Sequence, residues 1–330
     1  MTRTRRALAG LSALVVLTLA GCATPLPTPN PEPPPAVDPP VLSAAQVTSV
    51  LDSIGGALAA GDAALDPAQL GARVVDPALA MRSAEYARAT ATNGERPPTA
   101  LPTDAQVEIL PQTTQWPRVG LVVTEQPDDL QAPRVLVLLQ QSPRDQYALW
   151  GWARMFPGVS TPPTADDAGS PVLELDDPDL VMRPDEVLTA YADVLAQGDA
   201  SPSAALFAPD PFRESVAASR QQLTASVQEI GTVAETYTPG GPPLTAIGTA
   251  DGGAIVVGTM STTSTVTITV AGAKLTLSPY EAAVTGVTEA TQSLVRTYTD
   301  VLVFVVPAAG SGAQVQLIAA EQVPISVTAQ

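Results

Sequence analysis

Two short stretches, Leu58-Ala-Ala-Gly-Asp62 and Leu195-Ala-Gln-Gly-Asp199, match at four of five positions and lie 137 residues apart. Each one follows a run of apolar residues at helical spacing, so each predicts the end of an amphipathic helix. The first of these helices is predicted to begin at Ser43 and the second at Pro184. The same helix ending at this separation indicates an internal repeat at the scale of a domain.

The order of elements after these helices is also repeated. A short second helix is predicted from Asp66-Pro67 and from Ser201-Pro202, and a longer third helix from Asp76-Pro77 and from Asp210-Pro211. Each start places a capping oxygen before a proline, whose missing N–H costs nothing at the first helical position. The sequence therefore predicts three helices at the start of each copy.

Strands are predicted after the helices in both copies. Residues 265–270 alternate strictly between polar and apolar side chains, as in a half-exposed antiparallel strand, whereas 301–306 is apolar throughout and predicts a buried central strand. The capping box Ser278-Pro-Tyr-Glu281 predicts a helical turn inserted between strands of the second copy. The predicted strands are 105–110, 117–125, 133–141 and 145–155 in the first copy, and 228–238, 244–249, 253–260, 264–271, 297–306 and 314–327 in the second.

Helices followed by an antiparallel sheet predict an α+β fold with segregated elements. The element order resembles the cone-shaped fold shared by nuclear transport factor, ketosteroid isomerase and the polyketide-cyclase-like proteins, and a cystatin-like arrangement stays open. We therefore expect two tandem related domains, at 43–157 and 184–330, each with a curved antiparallel sheet. An acidic linker rich in proline and glycine, 158–183, is expected to join them.

The N-terminal residues have the order of a bacterial secretory signal. Arg3, Arg5 and Arg6 precede an apolar run, and Leu19-Ala20-Gly21-Cys22 resembles the lipobox of bacterial lipoproteins at all four positions. With the arginine-rich and alanine-rich composition, the resemblance is to secreted lipoproteins of actinobacteria. It implies removal of residues 1–21, a diacylglycerol on the Cys22 sulfur, and anchoring at the extracytoplasmic face of the cell membrane. The paired arginines also resemble a twin-arginine export signal, so the export route stays open.

Residues 22–42 are expected to carry the lipid and to form a tether. Nine of the twenty residues 23–42 are proline, which fixes the backbone in an extended form and removes hydrogen-bond donors. At about 3.1 Å per residue, such a spacer reaches at most about 60 Å.

The composition excludes several classes of function. The chain has no histidine, so a histidine-activated nucleophile and an imidazole metal site are excluded, and acylation of its single cysteine, Cys22, would remove thiolate zinc and disulfides as well. Removal of residues 1–21 takes away three arginines and no acid, which moves the formal net charge from −17 to −20. Because so acidic a chain repels phosphates, nucleic acid is not an expected partner. We expect no cofactor, no metal and no catalytic residue.

Trp150, Trp152 and Arg154 form the candidate binding face. At alternate positions of a strand these side chains would share one side, where two indoles and a cation could stack a sugar or lipid ring or hold a partner protein. The alternative is that both indoles pack beneath the helices as part of the core.

The expected function is that of a non-catalytic binding or interaction module of the cell envelope, with an envelope protein or an apolar small molecule as partner. Because the cone fold binds ligands between its helices and its sheet, an apolar-ligand carrier and a carboxylate-dependent isomerase or lyase stay open as alternatives. Ketosteroid isomerase uses an aspartate base with a tyrosine and an aspartic acid. No tyrosine here has an acidic neighbour at a spacing that predicts such a pair. The tyrosines considered are Tyr86, Tyr191, Tyr237, Tyr280 and Tyr298.

Overall fold

The computed structural model describes residues 38–126, 131–164, 169–241 and 244–330. The predicted signal peptide, Cys22 and the tether up to residue 37 lie outside the described residues. Within the described ranges, no helix combines the length and the apolar character that a membrane span requires.

The first half opens with two α-helices separated by a 3₁₀ segment. Helix α1 spans Ala44–Ala64, the 3₁₀ segment spans Pro67–Arg73, and α2 spans Ala78–Ala91. The backbone N–H of Ser43 donates to Gln46 Oε1 at 2.8 Å, which stabilises the first turn of α1. The predicted order of long, short and longer third helix is confirmed for this half.

The second half repeats this order. Helix α3 spans Pro184–Gln197, two 3₁₀ turns span Gly198–Ala200 and Ala204–Leu206, and α4 spans Pro211–Val227. The Asp210 side chain caps α4 by accepting a hydrogen bond from a backbone N–H of its first turn. The start predicted at Asp210-Pro211 is therefore confirmed, as is the one at Asp66-Pro67. The start predicted at Ser201-Pro202 is wrong, because the 3₁₀ turn begins at Ala204. At Asp76-Pro77, α2 begins one residue later than predicted and without a cap from Asp76.

Strands follow the helices in each half. In the first half they are β1 (Ala105–Ile109), β2 (Pro111–Gln112), β3 (Arg118–Thr124), β4 (Arg134–Gln140), β5 (Ala148–Met155) and β6 (Ser170–Pro171). In the second half they are β7 (Gly231–Pro239), β8 (Thr245–Gly248), β9 (Ala254–Ile268), β10 (Leu275–Thr276), β11 (Glu289–Ala290), β12 (Ser293–Val306) and β13 (Gln316–Ala329). The predicted strands 253–260 and 264–271 are one continuous strand, β9, because residues 261–263 are β-compatible serine and threonine without a turn residue. The predicted helical turn is α5 (Pro279–Thr285), and the capping box of Ser278 and Glu281 is present.

Nine of the described strands, from both halves, form one antiparallel sheet, while β2 pairs with β6 and β10 with β11 in two small separate sheets. Its order is β1-β3-β4-β5-β13-β12-β9-β7, and β8 pairs with part of β9. Each half contributes a four-stranded meander, and the two meanders join at their last strands, where Met155 pairs with Ala319 and Arg154 with Ala320. The α+β class is confirmed. The expectation of two domains with separate sheets is not confirmed, because Val37–Gln330 forms a single compact unit.

The largest hydrophobic core draws residues from both halves. Side chains of α1, α2 and β3–β5 pack in it together with residues of β9, β12 and β13. The second-half members that are at most 1% exposed include Ile255, Val257, Val301, Val303 and Ile318. The first half therefore completes its core with side chains from the C-terminal strands.

A second core lies beneath α3 and α4. Tyr191, Phe207 and Phe304 form an aromatic cluster there, with ring centroids 5.1–6.3 Å apart. Because all three rings are buried, they fill much of the space between α3 and the sheet.

The segments predicted as tether and linker are partly packed against the body. Val41 and Leu42 at the end of the tether are buried, and the Val41 N–H donates to the Pro111 carbonyl at 2.9 Å. In the linker, β6 pairs with β2, and Leu180 and Met182 are buried. The few apolar side chains of these segments are sufficient to hold them in place.

Candidate functional site

A cavity of about 380 Å³ lies between α4 and the face of the sheet formed by β5, β7, β9, β12 and β13. Small side chains leave this space open: Ser215 and Ser219 on α4, and Ala320 and Thr262 on the sheet. In the first half, the corresponding space under α2 is filled by large side chains, including Trp152 and Tyr86, which are at most 1% exposed. The two halves therefore differ in whether the helix and the sheet enclose an open space.

A group of polar side chains on the sheet faces this cavity. Thr262 on β9 is paired directly with Tyr237 on β7 and with Tyr298 on β12. Directly opposite residues share a face of an antiparallel sheet, and so do residues two apart on one strand. Glu235 and Asp300 consequently lie on the same face as the two tyrosines.

Asp300 is buried beneath the cavity. Thr262 Oγ1, which lines the cavity, donates to Asp300 Oδ2 at 2.5 Å, whereas Asp300 Oδ1 has no hydrogen bond of normal geometry within the described ranges. Burial raises the pKa of Asp300 to about 6, and Thr262 and Gln322 offset this shift only in part. Gln322 is the register partner of Asp300 on β13 and also lines the cavity.

Glu321 provides a second buried carboxylate, at the wall of the cavity. Its side chain is 11% exposed, and the nearest cation is Arg134, whose Nη1 lies 3.9 Å from Glu321 Oε2. Oε2 makes no hydrogen bond in the part of the chain that the structure describes. Burial raises the pKa of Glu321, while Arg134 and Arg154 act in the opposite direction.

Glu235 is the third carboxylate of the site. Tyr237 Oη donates to Glu235 Oε2 at 2.6 Å, and Arg220 Nε of α4 lies 3.8 Å from the same oxygen. Burial, followed by the hydrogen bond to Glu235, raises the pKa of Tyr237. This carboxylate is therefore held at the cavity by a tyrosine and an arginine on either side.

Three tyrosines pair with acidic side chains, although no sequence spacing had predicted such a pair. Besides the Tyr237 pair, Tyr86 Oη donates to Asp62 Oδ1 at 2.7 Å, and Tyr191 Oη donates to Asp210 Oδ1 at 2.9 Å. Those two pairs connect different helices, so sequence spacing gives no sign of them. Glu235 and Tyr237 stand at alternate positions of one strand, which is a signal that the sequence does contain.

Trp150, Trp152 and Arg154 do not form one exposed face. Trp152 is completely buried, and the guanidinium carbon of Arg82 lies 6.0 Å from its ring centroid. Trp150 is only half-buried, and it is the extra residue of a β-bulge, because Leu149 and Gly151 pair with consecutive residues of β4. Arg154 is exposed and lines the cavity under α4. Sequence reasoning therefore found one residue of the cavity, Arg154, and assigned it to a different surface.

No three acidic side chains within the described ranges come close enough together to hold a metal ion.

Comparison with known proteins gives one match. No curated protein and no solved structure matches the chain. Residues 38–325, which include every element from α1 to β12 and most of β13, match the family described as a domain of unknown function, DUF8094. The chain belongs to the DUF8094 family.

Proposed function

We propose that this chain is a lipid-anchored protein of the extracytoplasmic face of the cell membrane, and that its folded part is a non-catalytic binding module. The lipobox Leu19-Ala20-Gly21-Cys22 supports the anchor, and the proline-rich stretch 23–37 supports a spacer between anchor and body. The formal charge of −17 argues against a nucleic acid partner.

The cavity under α4 carries the proposed binding role. Polar and aromatic side chains stand together in its wall. Arg154, Glu235 and Gln322 provide charged and amide groups, and Phe156 and Phe212 provide rings. A pocket that combines apolar surface with a few polar groups is the usual form of a small-molecule site.

We also propose that the two halves are related versions of the helix-and-sheet cone, joined edge to edge. The repeated order of helix, 3₁₀ segment, helix and four-stranded meander supports this relationship. In this proposal one cone is filled by its own side chains, and the other retains a site for a ligand.

The side chains of the cavity wall distinguish between the alternative functions, an apolar-ligand carrier and a carboxylate-dependent enzyme. An apolar-ligand carrier fits poorly, because Arg154, Glu235 and Glu321 stand in the cavity wall. A carboxylate-dependent isomerase or lyase needs a base that reaches its substrate. Asp300 has the raised pKa of such a base, but its side chain is completely buried beneath Thr262. An envelope protein as partner is compatible with the anchor.

The anchor is tested by fractionating cells that produce the chain or its Cys22→Ala variant. The wild-type chain is expected in the membrane fraction after a high-salt wash, and the variant in the soluble fraction. A variant that stays in the membrane fraction would refute the lipid anchor.

The binding role is tested by native mass spectrometry of the mature chain purified from its own host. A small molecule is expected to accompany the wild-type chain and to be absent from Ser219→Phe, in which a large ring enters the cavity. The control is Ala217→Phe, on the same helix but outside the cavity lining, which should keep the ligand. An adduct that survives Ser219→Phe would place the ligand elsewhere, and the absence of any adduct would contradict a small-molecule binding role.

A further inference from the structure

We infer that the ligand of the cavity under α4 is a neutral, polyhydroxylated ring of the size of a mono- or disaccharide. This inference rests on the proposed binding function and specifies its ligand class. Three features of the cavity support it: the balance of its charges, the carboxylate acceptors in its wall and the aromatic rings beside them.

The charges around the cavity balance one another. Glu235 lies 3.8 Å from Arg220, and Glu321 lies 3.9 Å from Arg134. A charged ligand would add an uncompensated charge beside these pairs, whereas a neutral ligand leaves the balance unchanged. The charged side chains in or directly bordering the cavity are three arginines and three carboxylates: Arg134, Arg154, Arg220, Glu235, Asp300 and Glu321.

The hydrogen-bonding groups of the cavity require donors from the ligand. Carboxylates accept hydrogen bonds only, and Glu235 and Glu321 both line the cavity. Arg154 and Gln322 are neighbouring cavity residues that can donate. A hydroxyl both donates and accepts, so adjacent hydroxyls on one ring can bond to the carboxylate and to the arginine or amide at the same time.

Aromatic side chains provide the apolar part of the site. Phe156, Phe212 and Tyr298 all line the cavity. A pyranose ring carries C–H groups on its faces and hydroxyls at its edge, so it can lie against an aromatic ring while its edge meets the polar wall. The volume of about 380 Å³ is at the small end of ligand pockets, which fits one or two sugar rings.

The charge of the ligand is tested with three probes that share one ring: glucose, glucosamine and glucuronate. Binding is measured by saturation-transfer NMR and titration calorimetry on the mature chain carrying Cys22→Ser, with mannose, galactose and their disaccharides as further neutral probes. A neutral sugar is expected to bind at least tenfold more tightly than its cationic and anionic counterparts.

Two variants assign that binding to the cavity. Glu321→Gln replaces an anionic acceptor of the cavity wall with a neutral side chain that accepts more weakly, and it is expected to weaken sugar binding at least tenfold. Because Glu321→Gln could also disturb its Arg134 contact, Tyr298→Leu provides a second test that leaves all charges in place. Ala217→Phe serves as the control and should bind like the wild type, and thermal melts establish that each variant is folded.

The outcomes separate this inference from the proposed function. Tighter binding of glucosamine or glucuronate would overturn the neutral ligand class while leaving the binding function intact. The neutral ligand class is also overturned, and the binding function stays intact, if no sugar binds but a different small molecule accompanies the wild-type chain and is absent from Ser219→Phe. If no sugar binds and no small molecule accompanies the chain, both proposals fail. Sugar binding that is unaffected by Glu321→Gln and by Tyr298→Leu would also overturn the inference, because it would place the sugar site elsewhere.

Discussion

Asp62 and Arg82 form a bidentate ion pair between the end of α1 and the middle of α2. Arg82 Nε lies 3.0 Å from Asp62 Oδ1, and Arg82 Nη2 lies 2.6 Å from Asp62 Oδ2. Arg82 is completely buried and also donates to Glu85 Oε2 at 2.8 Å. In the second half, Asp199 pairs with Arg213 of α4, but the Asp199 side chain is 94% exposed. The aspartate of the repeated Gly-Asp sequence thus pairs with an arginine of the second α-helix in each half. The pair is buried in the first half and exposed in the second.

The two ion pairs should differ greatly in their effect on stability. Arg82→Met removes the partner of the buried Glu85 and is expected to lower the free energy of unfolding by roughly 3–5 kcal/mol. Arg213→Met is the matched control, because it removes an exposed pair that should contribute no more than about 1 kcal/mol. Urea denaturation of both variants measures the difference. Equal losses would mean that burial does not distinguish the two pairs.

Trp152 and Trp150 should respond differently to truncation. Trp152→Ala empties a completely buried site and is expected to cost roughly 3–5 kcal/mol, whereas the half-buried Trp150 should cost clearly less when replaced by alanine. Denaturant midpoints with the fitted slopes give both values. A Trp152→Ala midpoint close to that of the wild type would contradict the packing of this indole in the core.

Asp300 should make the stability of the chain depend on pH. Its folded pKa of about 6 is higher than the unfolded value near 3.8, so the folded state binds more protons between these two values. The stabilisation that the folded state gains from protonated Asp300 is fully present below about pH 4 and is lost as the pH rises through 6. Asp300→Asn removes this titration, so its stability relative to the wild type should increase by on the order of 2 kcal/mol between pH 4.5 and pH 7.5.

Thermal melts of the two proteins at a series of pH values measure this change. Thr262→Val serves as a second variant, because it removes the hydrogen bond that stabilises the ionised carboxylate and should raise the pKa of Asp300 further. A difference between wild type and Asp300→Asn that is constant from pH 4.5 to 7.5 would show that Asp300 does not titrate in this range.

The first half should not fold without the second. A fragment of residues 38–183 lacks the C-terminal side chains of its own core, among them Val301, Val303 and Ile318, so it is expected to show no cooperative unfolding. Co-expression with a fragment of residues 184–330 should restore a folded complex. Size-exclusion chromatography and near-ultraviolet circular dichroism test both statements. A monomeric, cooperatively unfolding 38–183 fragment would show that the halves have independent cores.

Local signals in the sequence predicted the helices. The joining of the two halves depends on contacts between residues far apart in the sequence, which such signals do not reveal. A proline after a capping residue marks α4 whatever surrounds it. The join between the halves consists of two residue pairs, Met155 with Ala319 and Arg154 with Ala320, which have no pattern of their own. For this reason the α-helices of each half were predicted, and the single sheet was not.

The glycines of the two repeated stretches show another property that the sequence pattern does not reveal. A Cβ on Gly61 would collide with the Tyr86 hydroxyl and with Leu70, so glycine is required there by close packing. Gly198 has open space around it but a φ of +61°, so glycine is required there by backbone conformation. The identical letters in the two copies therefore have different physical causes, which only the three-dimensional contacts distinguish.

The position of β13 has a consequence for how the chain is made. Residues 316–329 are synthesised after every other described strand, yet this strand lies in the middle of the sheet between β5 and β12. Until β13 is made, both neighbouring strands present an unpaired edge that can pair with other chains. In a chain of separate domains, the N-terminal one can fold during synthesis. Here a nascent chain that ends before residue 316 lacks a central strand of its sheet, so neither half can complete its fold until β13 has been made.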